Sequence, residues 1–335
     1  MRTRREFLAT LGTAAGIAMS HAPSSGAGPA SDRLGALLPL RPLGKSGATV
    51  TAFCLGGAHF EKDRTEAESQ AILEKALEVG CRFFDNAYFY HEGEAERRYG
   101  RLLSPKYRDV AFIMTKCRNR TGAEARKELD AAIARMKCDY LDLWQIHAIE
   151  SPEDVDNRVR DGVLDVFLEA KASGKARYIG FTGHTDYRAH LRMLEILAER
   201  GIDLDTCQMP INLCDPHYES FTVNVLPKLI ARKYGVLAMK TMAFGQMTGR
   251  GGFPNKPMPK PLTESGITPR QMHEYVYSLP IAALVSGCAS PEEVVENSGV
   301  LGQFKGMDAA ERDRLVALAE KYAGPEMERY KGLKG

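Results

Sequence analysis

The chain has no C-x-x-C pair, no long run of one charge sign, and no apolar stretch long enough to cross a bilayer. Each absence excludes a class of protein. The seven cysteines, Cys54, Cys81, Cys117, Cys138, Cys207, Cys214 and Cys288, are odd in number and scattered. Neither an iron–sulfur cluster nor a disulfide framework is expected, and they read as buried thiols in strands and helix ends. The 45 basic and 43 acidic residues leave a net charge of +2 without a basic patch, which excludes a nucleic-acid footprint. The apolar run Leu11 to Met19 is short of the about 20 residues a spanning helix needs, so no transmembrane segment is expected in the mature protein. What remains is 335 residues, 44% hydrophobic and 26% charged, the composition of a soluble globular enzyme.

The first thirty residues stand apart. Thr3-Arg4-Arg5-Glu6-Phe7-Leu8-Ala9 precedes the short apolar run, and small residues follow it at Ser20-His21-Ala22. This is the pattern of a twin-arginine export signal, with cleavage after Ala22 or Ala30. It predicts the Tat translocase as a partner and a periplasmic or otherwise exported destination, or a cytoplasmic one if the signal is not used. Because that route carries folded proteins, the signal also points towards a cofactor enzyme.

From Arg41 onward, short apolar strands alternate with amphipathic helical stretches of roughly 12 to 18 residues, the signature of a parallel sheet with helical crossovers. Eight strands are predicted, over 50–55, 81–85, 110–115, 140–146, 178–182, 206–211, 236–239 and 282–285. Helices are expected over Gly93–Leu103, Ala123–Met136 and Pro291–Leu301. Eight alternating units in one domain, over residues 40–305, favour a single-domain α/β (β/α)8 TIM barrel. The glycine- and proline-rich stretch Gly249–Pro261 reads as a long loop after the seventh strand, on the face where such barrels keep their sites. Residues 306–335 are expected to form a last helix over Ala309–Tyr322, and a tail, packed on the barrel.

On this scheme Asp85 ends the second strand, Tyr90 lies just beyond it, Lys116 follows the third, and His147 ends the fourth. Four ionisable side chains converge on one mouth. A lysine ammonium held by an aspartate would lower the pKa of a nearby phenol. The histidine would orient a substrate oxygen. Together they would protonate a carbonyl oxygen while a hydride reaches its carbon. His59, His91 and His184 add imidazoles at the same end, read as pocket walls.

These segments resemble the aldo-keto reductase superfamily. The resemblance rests on Phe84-Asp85-Asn86-Ala87 with Tyr90, Thr115-Lys116, Ile146-His147, Arg41-Pro42-Leu43-Gly44 and Cys54-Leu55-Gly56-Gly57. It rests also on Gly174-Lys175-Ala176-Arg177-Tyr178-Ile179-Gly180 and on Gln208. It implies a (β/α)8 barrel that uses NADP(H) or NAD(H) without a G-x-G-x-x-G fingerprint. The substrate would be a small carbonyl or alcohol. Tyr90 would be the general acid, Lys116 and Asp85 its tuning pair, and His147 the substrate orienter. Gly57, Asp85, Thr182, Gln208, Met239, Lys240, Ser286, Gly287, Glu293 and Asn297 would contact the cofactor, with no metal. Thr182-Gly183-His184 keeps a hydroxyl and lacks the usual amide for the nicotinamide carboxamide. Met239 stands where an aromatic ring usually stacks on the nicotinamide, and Lys240 could reach a phosphate. Gly287 and Glu293 occupy positions where basic residues commonly meet a 2′-phosphate, which weakens an NADPH assignment.

Three other readings compete. A metal-dependent barrel hydrolase would use His59, His147, His184 and Asp85 as ligands, although no H-x-H pair ends the first strand. A Schiff-base aldolase would use Lys116 or Lys240. A non-catalytic nucleotide-binding barrel is the third.

Overall fold

The computed structural model describes residues 30–253 and 255–332. The expected export signal lies outside the described residues except for Ala30. Eight parallel strands close into a barrel: β1 (Phe53–Gly56), β2 (Phe83–Phe84), β3 (Phe112–Cys117), β4 (Leu141–Ile146), β5 (Ala176–Thr182), β6 (Thr206–Pro210), β7 (Gly235–Met239) and β8 (Ala283–Gly287). Closure is made by β8 against β1, where Leu284 pairs with Phe53 and Gly287 with Gly56. This is the expected (β/α)8 architecture in a single domain.

Alternation along the strands divides the core in two. Cys54, Phe83, Met114, Leu143 and Leu237 share one buried cluster with Leu43 and Val50. Phe53, Leu55, Phe84, Ile113 and Trp144 pack outward among the helices, where Trp144 stacks on Phe167 at 3.7 Å. Leu43 and Val50 belong to the antiparallel hairpin of Leu40–Pro42 with Thr49–Thr51. The first predicted strand, 50–55, is therefore two elements. The Ala52 backbone marks the break: its N–H donates to Pro39 and its carbonyl accepts from Leu284.

Helix starts follow their side-chain caps. Thr65 and Glu68 form a capping box at Glu66–Glu78, Thr121 caps Gly122–Met136, and Ser290 caps Pro291–Gln303. The expected helix over Gly93–Leu103 is Glu94–Arg98 followed by a wide π turn over Tyr99–Leu103. That turn presses on the neighbouring helix, because a Cβ on Gly100 would lie 2.1 Å from the Arg135 carbonyl oxygen.

Past the helix Ala309–Ala319, residues 324–332 run across the end of the barrel where the strands finish. Gln246 donates to the Met327 carbonyl, His184 Nδ1 lies 3.1 Å from the Tyr330 carbonyl, and the Gly332 N–H donates to Thr185. Lys331, with its side chain 1% exposed, donates to Asp215 at 2.7 Å and to Glu328 at 3.0 Å. Asn212 donates to Glu328 and to the Tyr330 hydroxyl.

Candidate active site

Lys116 lies within β3, not after it as the strand over 110–115 predicted, and it is paired in register with Gln145 of β4. Its ammonium is buried, at 2% exposure. It is satisfied on three sides: by the Asp85 carboxylate, by the Asn86 carbonyl at 2.8 Å, and by the Tyr90 hydroxyl at 3.3 Å. The Tyr90 ring meets the His147 ring edge-on at 6.2 Å. The structure thus brings Asp85, Tyr90, Lys116 and His147 together at the C-terminal mouth: Lys116 from within β3, Tyr90 from the loop after β2, and Asp85 and His147 from the positions just past β2 and β4 rather than from their last residues.

The electrostatics follow from burial. Desolvation alone would strip the Lys116 proton, but the charges of Asp85 and Tyr90 and their hydrogen bonds outweigh it, so the ammonium is held above its ordinary value. Desolvation raises the Tyr90 phenol, and the Lys116 charge opposes this without cancelling it. The net direction is the reverse of the lowering expected from a lysine neighbour. His147 is held well below the usual imidazole value, first by burial and then by Lys116 and other cations, so it is neutral near pH 7. Its Nδ1 is buried without a partner among the described residues.

Several residues that fix this geometry have no role in the site expected from the sequence. Asn86 turns its side chain away to Ala95 and Ala87, which leaves its carbonyl to Lys116. The Tyr99 hydroxyl donates to the Asp85 carbonyl at 2.9 Å. Arg158 donates to the carbonyls of both His147 and Ala148, and so holds the turn in which Ala148 takes φ 53°. Arg158 lies one helical turn beyond Asp154, with which it pairs, and that spacing was the one available clue.

The remaining predicted residues form an arc around β5 to β8 and β1. Thr182 is buried at the end of β5 and Gln208 in the middle of β6, and Gln208 Oε1 has no partner among the described residues. Met239 is half-buried at the end of β7. Lys240, in the left-handed region at φ 56°, lies 3.6 Å from the Phe244 ring centroid, and burial followed by the Lys116 charge brings its amine down to about 7. Ser286 and Gly287 end β8, and Asn297 donates to the Ser286 hydroxyl at 3.1 Å. Glu293 is exposed and accepts from the Ala289 N–H. Gly57 and Gly287 owe their small size to packing. A Cβ would lie 2.4 Å from the Asp85 carbonyl oxygen at Gly57, and 2.4 Å from His59 Nε2 at Gly287. His91 Nε2 lies 2.9 Å from the Ala58 carbonyl and ties two mouth loops together. His184 is taken by the tail.

The hydrolase ligand set is not assembled. Among the described residues no group of three or more His, Cys, Asp and Glu side chains is placed to hold a metal ion. Lys116, held charged by Asp85, is not a Schiff-base nucleophile. Among the same residues, no helix is long and apolar enough to cross a membrane.

Residues 52–310 match the Aldo/keto reductase family. The chain belongs to that family. It is accordingly an NAD(P)-dependent oxidoreductase that interconverts a carbonyl group and an alcohol. Among relatives, this reductase is 25% identical over 312 residues to L-galactose dehydrogenase of Arabidopsis thaliana, covering 84% of this chain and 95% of that one. It is 32% identical over 171 residues to 6-dehydroglucose reductase of Novosphingobium aromaticivorans, covering 44% of this chain and 54% of that one. Among solved structures, an aldo-keto reductase from Bacillus halodurans in its holo form superposes with a TM-score of 0.69 at 19% identity, over 87% of this chain and 99% of that one, which speaks to the fold.

Proposed function

We propose that Tyr90 is the general acid of this reductase, that Lys116 and Asp85 hold its hydroxyl in place, and that His147 orients the carbonyl. The observation that carries this reading is the buried ammonium of Lys116, shared by Asp85, Asn86 and the Tyr90 hydroxyl. Because the phenol keeps its proton at neutral pH, it can donate to a carbonyl oxygen that becomes an alkoxide. Lys116, already charged, stabilises the phenolate left behind. The neutral His147 can donate a second hydrogen bond to the same oxygen without competing for its proton.

The arc from Thr182 to Asn297 fits a nicotinamide dinucleotide. The orphaned Gln208 Oε1 is an acceptor suited to the carboxamide N–H, with Thr182 beside it and the Met239 thioether at the ring. When bound, the cofactor supplies the hydride. Lys240 would meet a phosphate, and Ser286, Gly287, Glu293 and Asn297 the adenosine end. Glu293 is an acceptor suited to a free ribose hydroxyl. Arg64, a cation near that end, already donates to the His59 and Ala289 carbonyls. These residues support NAD(H) binding at least as tight as NADP(H), and tighter NADPH binding by fluorescence titration would overturn that preference.

The two curated relatives are named for reactions of sugars, which supports a polyhydroxylated substrate for this chain. The Thr3–Ala9 motif supports Tat-dependent export of the folded protein to the periplasm. Replacing Tyr90 with phenylalanine tests the catalytic assignment. Cofactor binding should survive while turnover falls by roughly 10²–10⁴-fold, and retained turnover would refute the role.

A further inference from the structure

Phe89 lies beside the tetrad and is 59% exposed, an unusual position for a large ring. It meets the His147 ring edge-on at 6.1 Å, and its face carries the Arg118 guanidinium, whose carbon is 4.5 Å from the ring centroid. Arg118 sits two residues past Lys116 and donates to Glu150 through Nη2 at 3.0 Å. No other N–H of its fork has a protein acceptor among the described residues. Glu150 does not neutralise it alone, because that carboxylate also pairs with Arg120 at 3.1 Å, and Asp154 is divided between Arg120 and Arg158. Three guanidiniums face two carboxylates, so one positive charge is unspent at the mouth. The charged neighbours acting on His147 agree: Lys116, Arg118 and Arg158 all disfavour a proton there.

We propose that Arg118, braced on Phe89, binds a carboxylate at the far end of the carbonyl substrate, so that this reductase prefers anionic aldehydes or ketones such as aldehydic sugar acids. The inference rests on the reductase reading of the tetrad. A planar guanidinium with a free edge matches a carboxylate in two parallel hydrogen bonds, and the ring it rests on, itself against His147, restrains it beside the mouth. Phe89 also offers an apolar face to the carbon skeleton that connects the two ends. Arg118 acts through binding: it orders the substrate so that its carbonyl meets Tyr90 and His147.

The test compares 4-carboxybenzaldehyde with its neutral methyl ester, methyl 4-formylbenzoate, and adds glyceraldehyde 3-phosphate against glyceraldehyde. The wild type should favour the carboxylate over the ester by roughly 10- to 100-fold in kcat/KM, mostly through KM. In Arg118→Met that preference should collapse, and 500 mM salt should weaken it in the wild type. Equal kcat/KM for acid and ester, or an unchanged preference in Arg118→Met, would overturn the proposal. A stronger preference for the phosphate pair would overturn the carboxylate assignment. If neither aldehyde turns over, the reductase reading has failed. Benzoate protection against thermal unfolding, present in the wild type and lost in Arg118→Met, still decides the anion site. Absence of benzoate protection in the wild type counts against it.

Discussion

Replacing Asp85 with asparagine removes the single carboxylate that compensates Lys116. The lysine side chain is 1% exposed and the Asp85 side chain 2%, so water cannot take over. A buried charge left without its partner costs about 3–5 kcal/mol. The lysine has an escape, however, which is to release its proton. That route caps the penalty at the cost of deprotonating an amine whose unfolded pKa is about 10.4, or about 4.6 kcal/mol at pH 7. The cap falls by about 1.4 kcal/mol per pH unit, to about 1.9 kcal/mol at pH 9. The sign is fixed by proton counting. In the variant the unfolded chain binds the proton that the folded chain has lost, so stability rises with pH. In the wild type the pair holds Lys116 above its ordinary value, so its contribution is complete below about pH 10.4. The gap between variant and wild type should therefore be widest near neutrality and narrow by pH 9. Urea unfolding at pH 7, 8 and 9 measures it. Asp85→Asn combined with Lys116→Met removes both charges and should recover most of the stability while leaving turnover lost. A single variant as stable as wild type at pH 7, or a gap that does not shrink with pH, would refute the claim of a charged, buried lysine.

Three further outcomes follow from the geometry. Gly57→Ala forces a Cβ to 2.4 Å from the Asp85 carbonyl oxygen. It should cost about 1–3 kcal/mol on thermal unfolding and lower kcat by displacing Asp85, so an unaffected kcat would show that this contact does not position the aspartate. Truncation after Tyr322 removes Lys331 from Asp215 and should cost about 3–5 kcal/mol by chemical denaturation, with no loss if the tail is only loosely laid on the barrel. Arg4→Lys combined with Arg5→Lys should retain the protein in the cytoplasmic fraction when expressed in a bacterium with the Tat route, and continued export would dismiss that signal.

The barrel was legible because its strands are short, largely apolar runs alternating with helical stretches, as at Leu141–Ile146, which is buried along its whole length. Boundaries failed where hydrogen bonding, not hydropathy, decides. Thr49–Phe53 is continuously apolar or β-branched, and only the Ala52 backbone bonds divide hairpin from barrel. Lys116 was placed beyond β3 because a charged residue reads as a strand end, yet the barrel buries it by supplying Asp85 from just past the end of the neighbouring β2. The direction of the Tyr90 shift was missed for the same reason: charge order is visible in a sequence, and depth of burial is not. Arg158 and Arg118 act through backbone carbonyls and a ring face, contacts that no local motif announces.

The tail adds a matter of timing. Tyr330 and Lys331 meet Asn212 and Asp215 across sequence separations of 118 and 116 residues. Synthesis runs from the N-terminus, so the whole barrel can emerge before these contacts exist, and long-range closures of this kind form late. Vectorial synthesis therefore allows a stage with the strands in place and one side of the mouth uncovered, a stage that refolding from denaturant need not visit in the same order. The final shape of the mouth is decided by residues made only after every strand of the barrel.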